Sequence, residues 1–166
     1  MKVDLRINGI NRSAEVEPRK TLLDVLRENF LLNGTHAGCE HGVCGACTVL
    51  VDGEAVYSCL MLASEMGDAE ITTIEGLSRD GELDVVPDAL ADAGGVQCGF
   101  CTPGMVLSAK ALLSENPHPT EEEIRIALSG NLCRCTGYTR IVDAVMAAAT
   151  SRTPSRIDCV LFASPT

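Results

Sequence analysis

The chain has no tryptophan, and aromatic residues make up only 3% of it. Few large side chains are available to fill a core, so the 46% apolar share rests on Ala, Val, Leu and Ile. It also lacks any cluster of Lys and Arg, and its formal net charge is −10. A nucleic-acid binder is expected to carry a basic patch, so nucleic acid is not an expected partner. An anionic membrane surface is disfavoured for the same reason. There is no apolar run of roughly 18 residues, hence no expected transmembrane helix. Met1–Ile7 alternates apolar and charged residues, which reads as a strand and not as a secretion signal. The expected location is cytoplasmic. No internal repeat is visible.

What the chain does have is cysteine, nine in 166 residues. Disulfides are rare in the cytoplasm, so metal binding or redox chemistry is the better explanation. The length suits one ordinary domain or two small ones. A small domain has a marginal hydrophobic core, and a metal cluster is one way to restore stability.

The hydrophobic pattern divides the chain into residues 1–76, a polar linker at 77–85, residues 86–150 and a tail at 151–166. In the first part Val3, Leu5 and Ile7 alternate, Asn8-Gly9 signals a turn, and a short strand is expected around Ala14–Val16. Thr21 can cap a helix through Leu22–Arg27, with Asp24 three residues on, and Asn33-Gly34 is expected to stop the segment. Residues 35–47 read as a loop. Thr48–Val51 and Ala55–Tyr57 flank Asp52-Gly53, a hairpin signal, and Ile71–Ile74 reads as a last strand. Beyond the linker the period becomes helical. Thr102-Pro103 offers an N-cap and a Pro at the first helical position. Met105, Ala109, Leu112 and Leu113 share one face. Thr120 with Glu123 forms a capping box, and Ile141–Ala149 is a further apolar helix.

The first cysteine group is Cys39, Cys44 and Cys47 in one loop, with Cys59 after the hairpin. The spacing C-x4-C-x2-C followed by a distant fourth Cys is the plant-type [2Fe–2S] pattern. Three thiolates from one loop require sharp backbone turns, which Gly38, Gly42 and Gly45 can supply through positive φ. Amides in such a loop can also point at sulfur and raise the reduction potential. A structural zinc site is the alternative, but it usually takes paired C-x2-C arms, and only one is present here. His41 is a solvent-facing loop residue on this reading, because four cysteines complete the site.

The second group joins Cys98 and Cys101 with Cys133 and Cys135. A thioredoxin-like site would need a βαβ context, whereas the surroundings are helical. Four thiolates gathered between two helix starts explain both pairs, and partial positive charge at the helix N-termini would stabilise an anionic cluster.

The runs Cys98-Gly99-Phe100-Cys101-Thr102-Pro103-Gly104-Met105 and Gly130-Asn131-Leu132-Cys133-Arg134-Cys135-Thr136-Gly137-Tyr138 closely resemble the molybdenum hydroxylase family. That family includes xanthine dehydrogenase, aldehyde oxidoreductase, carbon monoxide dehydrogenase and bacterial N-heterocycle dehydrogenases. Gly38-Cys39-Glu40 and Cys44-Gly45-Ala46-Cys47-Thr48-Val49 match its ferredoxin domain. The resemblance covers about residues 1–150.

It implies an α+β chain: a plant-ferredoxin-like β-grasp domain followed by an all-α helical bundle, each with a [2Fe–2S] cluster. It further implies a large partner subunit holding molybdopterin and a medium subunit holding FAD, assembled as a dimer of heterotrimers. Electrons would run from molybdenum through pterin, second cluster and first cluster to flavin. Gln97 matches the position that hydrogen-bonds the pterin, and Cys135 the ligand nearest to it. No catalytic residue is expected on this chain. Arg134 and Arg140 are either solvated or face a partner, Tyr138 is a packing residue, and Cys159 is an unliganded thiol in the tail. The motifs look closest to carbon monoxide and N-heterocycle dehydrogenases, with nicotine- or quinoline-type substrates. Xanthine- or aldehyde-type enzymes are the alternative. A free two-cluster ferredoxin would leave the second domain without a purpose, and a redox sensor would need an effector domain that is not visible.

Overall fold

The computed structural model describes residues 1–78 and 83–151. Strands β1 (Lys2–Ile7) and β2 (Ile10–Glu15) form a hairpin about Asn8-Gly9. Both turn residues have positive φ, 53° and 76°, which matches the twist of the strands they join. Pairing therefore resumes at once, with Ile7 opposite Ile10, and β2 starts well before the expected Ala14–Val16. Its alternation is hard to read because most of its side chains are exposed.

Thr21 caps helix α1 (Leu22–Asp24) in a capping box with Asp24. The helix continues as a π-helical turn, Val25–Asn29. The stop comes earlier than Asn33-Gly34: Leu31 adopts φ 57°, and Leu32 N–H donates to the Leu26 carbonyl at 2.9 Å, a left-handed closure of the segment. Strands β3 (Thr48–Val51) and β4 (Glu54–Tyr57) turn about Asp52-Gly53 as expected. Strand β5 covers Glu70–Thr72, and Ile74 already belongs to a 3₁₀ turn, Ile74–Leu77. The sheet order is β2-β1-β5-β3-β4, with only the β1–β5 pair parallel. Val3, Leu5, Ile7, Val49 and Ile71 bury against Leu22, Val25 and Leu26.

The second half is helical: α2 (Val85–Asp92), α3 (Thr102–Glu115), α4 (Glu121–Ala127) and α5 (Thr139–Thr150). Helix α2 has no counterpart in the sequence reading. Its signal is Asp84, whose carboxylate accepts the Val86 N–H at 3.1 Å and pairs with Lys110 Nζ of α3 at 2.8 Å. The α3 cap is Cys101, one residue before the expected Thr102, which is itself helical. Thr120 and Glu123 close the expected capping box on α4. Val86, Leu90, Met105, Val106, Leu113, Ile124, Leu128, Ile141 and Val145 form a second core. No described helix is long and apolar enough to cross a membrane. Cys159 lies outside the described residues.

Candidate metal centres

The first cysteine loop folds by a run of left-handed residues. Glu40, Gly42 and Gly45 have φ of 57°, 79° and 69°. Gly38 does not share this geometry. Its need for glycine is close approach, since a Cβ there would stand 2.9 Å from Cys44 Sγ. The turn aims backbone donors at sulfur: the Val43 and Cys44 N–H groups both reach Cys39 Sγ at 3.3 Å. Amide hydrogen bonds from His41, Cys44 and Val43 hold the Cys39 thiol down to about 6. A loop that stabilises negative charge on sulfur favours the thiolate that a metal requires. Burial instead pushes Cys59, delivered by the turn after β4, up to about 11. His41 is exposed, as expected, with its ring Nδ1 against the Cys39 carbonyl.

The second group is assembled from two segments. Cys98 and Cys135 are exposed, with their sulfurs 3.5 Å apart. Cys101 caps α3, and burial raises its thiol to about 12. For Cys133 burial also acts upward, but it is outweighed by hydrogen bonds from Thr136, from the Cys135 amide and from the Cys101 thiol. The Phe100 amide lowers Cys98, while the contact with Cys98 raises Cys135.

All eight thiols of the two groups are free. Cys98 and Cys135 meet at 3.5 Å, and Cys39 with Cys44, Cys47 with Cys59, and Cys101 with Cys133 are neighbours that act on one another's ionisation. Two thiolates on one tetrahedral metal with bonds of about 2.3 Å stand roughly 3.8 Å apart, close to the Cys98–Cys135 separation. Two pairs per group suit a cluster of two irons, each taking two cysteines. A single zinc ion would instead draw all four thiolates of a group to one point. The residues present thus fit a [2Fe–2S] cluster in each group.

Comparison with known proteins agrees with the geometry. A family profile described as "2Fe-2S iron-sulfur cluster binding domain" matches residues 5–77, and one described as "[2Fe-2S] binding domain" matches residues 73–146. The small FeS subunit of nicotinate dehydrogenase from Eubacterium barkeri is 52% identical, over 86% of this chain and 91% of that one. The nicotine 6-hydroxylase small subunit of Paenarthrobacter nicotinovorans is also 52% identical, over 89% of each. This chain belongs to the family of small iron–sulfur subunits of molybdenum hydroxylases. In keeping with that family, the fold superposes on a chain of quinoline 2-oxidoreductase from Pseudomonas putida 86 with a TM-score of 0.88. The two are 48% identical, over 90% of this chain and 94% of that one. As a family member the chain is the iron–sulfur part of an oxidoreductase.

Gln97 is exposed beside Cys98, and Arg134 is exposed between Cys133 and Cys135. Arg140, also exposed, donates to the Ala93 carbonyl at 3.1 Å. Tyr138 does pack against the helical core, and its hydroxyl additionally accepts the Cys133 N–H at 2.9 Å. Sequence reasoning missed the seam between the two cysteine groups. There Leu132 N–H donates to the Cys44 carbonyl at 2.8 Å, the Tyr57 hydroxyl donates to the Gly130 carbonyl at 2.9 Å, and His36 stacks on Phe100. The available signal was the placement of Gly130 and Asn131 directly before Cys133 in one motif.

Proposed function

We propose that this chain relays single electrons from a molybdopterin site in a large partner subunit to FAD in a medium partner subunit. The observation that carries this reading is the gathering of eight free thiols into two groups, in loops that touch each other. Cys39, Cys44, Cys47 and Cys59 hold the first cluster, and Cys98, Cys101, Cys133 and Cys135 the second. Residues 1–76 form a plant-ferredoxin-like β-grasp domain and 86–150 the helical cluster domain; of the linker expected at 77–85 and the tail expected at 151–166, residues 79–82 and 152–166 lie outside the described residues, and Asp84 and Val85 already start α2. When bound, each cluster accepts and passes on one electron, which divides a two-electron substrate oxidation into single steps.

The protein's part is to hold the thiolates and orient them. The Val43 and Cys44 amides donate to Cys39 Sγ, which offsets its negative charge. The Thr136 hydroxyl sits 3.1 Å from Cys133 Sγ, and the N-terminus of α3 begins at Cys101, where its dipole favours an anionic ligand set. Gln97 and Cys135 form the edge toward the pterin, and the exposure of Gln97, Cys98 and Cys135 supports a partner contact there. No residue of this chain does chemistry on the substrate. Relatives named for nicotinate, nicotine and quinoline support an aromatic N-heterocycle as substrate of the assembly. Carbon monoxide, xanthine-type and aldehyde substrates are the competing classes. The assembly we envisage is a cytoplasmic dimer of heterotrimers.

The test is the metal content of the native complex purified anaerobically through a tag on this chain. The expected result is about four irons per chain, from two two-iron clusters, together with molybdenum, flavin and two partner chains. N-heterocycles should then bleach the visible absorption of the clusters. Iron without molybdenum or partner chains would redirect the reading to a free ferredoxin, and zinc in place of iron would overturn it.

A further inference from the structure

Asn131 lies two residues before Cys133, yet its side chain serves the other cysteine group. It is 3% exposed. Its Nδ2 donates to the Gly45 carbonyl at 2.9 Å and to Thr48 Oγ1 at 3.1 Å. Its Oδ1 accepts from Ser108 Oγ at 2.8 Å. Gly45 follows Cys44, Thr48 follows Cys47, and Ser108 lies on α3, whose cap is Cys101. One buried amide therefore joins a backbone carbonyl and a side-chain hydroxyl, each next to a first-group cysteine, to both segments that carry the second group.

The surroundings leave this amide no slack. A Cβ on Gly45 would stand 2.7 Å from Asn131 Nδ2, and one on Gly104 would stand 3.0 Å from the same atom. Both amide hydrogens and the oxygen are used, so the side chain has one satisfied orientation. Rotating or removing it would take the acceptor from the Ser108 hydroxyl in a buried site and would leave the Gly45 carbonyl to Thr48 alone, cutting the tie between the two segments.

We propose that Asn131 is a positioning residue that sets the separation and mutual orientation of the two cysteine groups, and thereby the rate at which an electron crosses between them. This rests on the two-cluster reading above. In the crossing no bond forms or breaks: one electron leaves the group at Cys98, Cys101, Cys133 and Cys135 and arrives at the group held by Cys39, Cys44, Cys47 and Cys59.

The test uses the native complex carrying Asn131→Ala, reduced with dithionite, with iron content, the paramagnetic resonance signal of each reduced cluster and the magnetic splitting between the two signals as readouts. The inter-cluster transfer rate is followed after photochemical injection of one electron. The expected result is full iron and two recognisable signals, with an altered splitting and a slower transfer. Full iron with unaltered splitting and rate would overturn the proposal and reduce Asn131 to a stability role. Where Asn131→Ala loses iron, Ser108→Ala decides. It keeps the amide but frees its oxygen, so a shifted splitting supports the proposal and an unshifted one overturns it. A wild-type complex without two iron–sulfur signals would instead fail the function reading itself.

Discussion

The first cysteine group is drawn from one loop and the hairpin that follows it, whereas the second is gathered from two segments that only the packing of α3, α4 and α5 brings together. In the first, left-handed residues at Glu40, Gly42 and Gly45 turn the chain around its thiols within a few positions. In the second, Cys101 and Cys133 pack against the helical core, and Cys98 meets Cys135 across the junction. A local site needs little beyond its own backbone turns. An assembled site inherits the stability of the core that assembles it, so damage to the two halves should have different reach.

Loss of a thiol has the largest expected effect. Cys44→Ser should remove the first cluster and Cys101→Ser the second, each taking iron from about four atoms per chain to about two. Iron analysis and the remaining resonance signal check this. Each half has its own core, so the surviving cluster should keep its own signal and lose only the splitting caused by its neighbour. Loss of all iron from either variant would show that the halves do not stand independently.

Next comes the ion pair that holds the helical half together. Lys110 and Asp84 are 9% and 8% exposed and 2.8 Å apart, and Asp84 also caps α2. Asp84→Ala leaves a buried ammonium without its partner, at a cost of about 3–5 kcal/mol. The exposed pair Arg125–Glu121, at 2.7 Å, has a similar distance but a different environment. Glu121→Ala should cost less than about 1 kcal/mol. Denaturant midpoints of the two variants measure the contrast. Cluster loss in Asp84→Ala should fall on the second group and spare the first.

Gly104→Ala tests the seam between the halves. Alanine is the better helix former by about 1 kcal/mol, so an isolated α3 would gain. Here a Cβ would collide with the Gly45 carbonyl oxygen, and overpacking of that kind costs about 1–3 kcal/mol. Net destabilisation measured by denaturation is expected. A stabilised variant would mean that the first loop can move away from α3, and that the seam is loose.

The same contrast between local and assembled structure explains what was legible in the sequence. Val3-Leu5-Ile7, the turns at Asn8-Gly9 and Asp52-Gly53, the helix cap at Thr21 and the capping box at Thr120 all depend on residues a few positions apart, and each reads correctly. Cysteine spacing likewise separates the two groups. Helix α2 is hidden because its cap, Asp84, follows a polar stretch, and because that cap is held by an ion pair to Lys110 in another helix. The end of the first helical segment misleads because Leu31, not a glycine or asparagine, takes the left-handed position. The pairing of Cys98 with Cys135 and the reach of Asn131 to Gly45 and Thr48 depend on packing between distant segments, which no local pattern encodes.

The smallest expected effect belongs to Tyr57, which crosses the seam from the sheet half. Its hydroxyl donates to the Gly130 carbonyl at 2.9 Å. Burial first, and then the neighbouring Cys47, Cys44, Cys39 and Cys59, push the phenol above its ordinary value, so it remains a neutral donor. Tyr57→Phe removes one hydrogen bond and should cost about 1 kcal/mol near neutral pH. The pH dependence has a definite sign. A folded-state value above the unfolded one means that the native state binds this proton more tightly, so the tyrosine's contribution is fully present below about pH 10. It is lost as pH rises from there through the folded value. Phenylalanine does not titrate. The stability gap between wild type and Tyr57→Phe should therefore hold from pH 7 to 9 and narrow above pH 10, as denaturant midpoints taken across that range would record. A gap that stays constant through pH 11 would show that the hydroxyl titrates alike in the folded and unfolded states, and that the seam around it is wetter than the structure indicates.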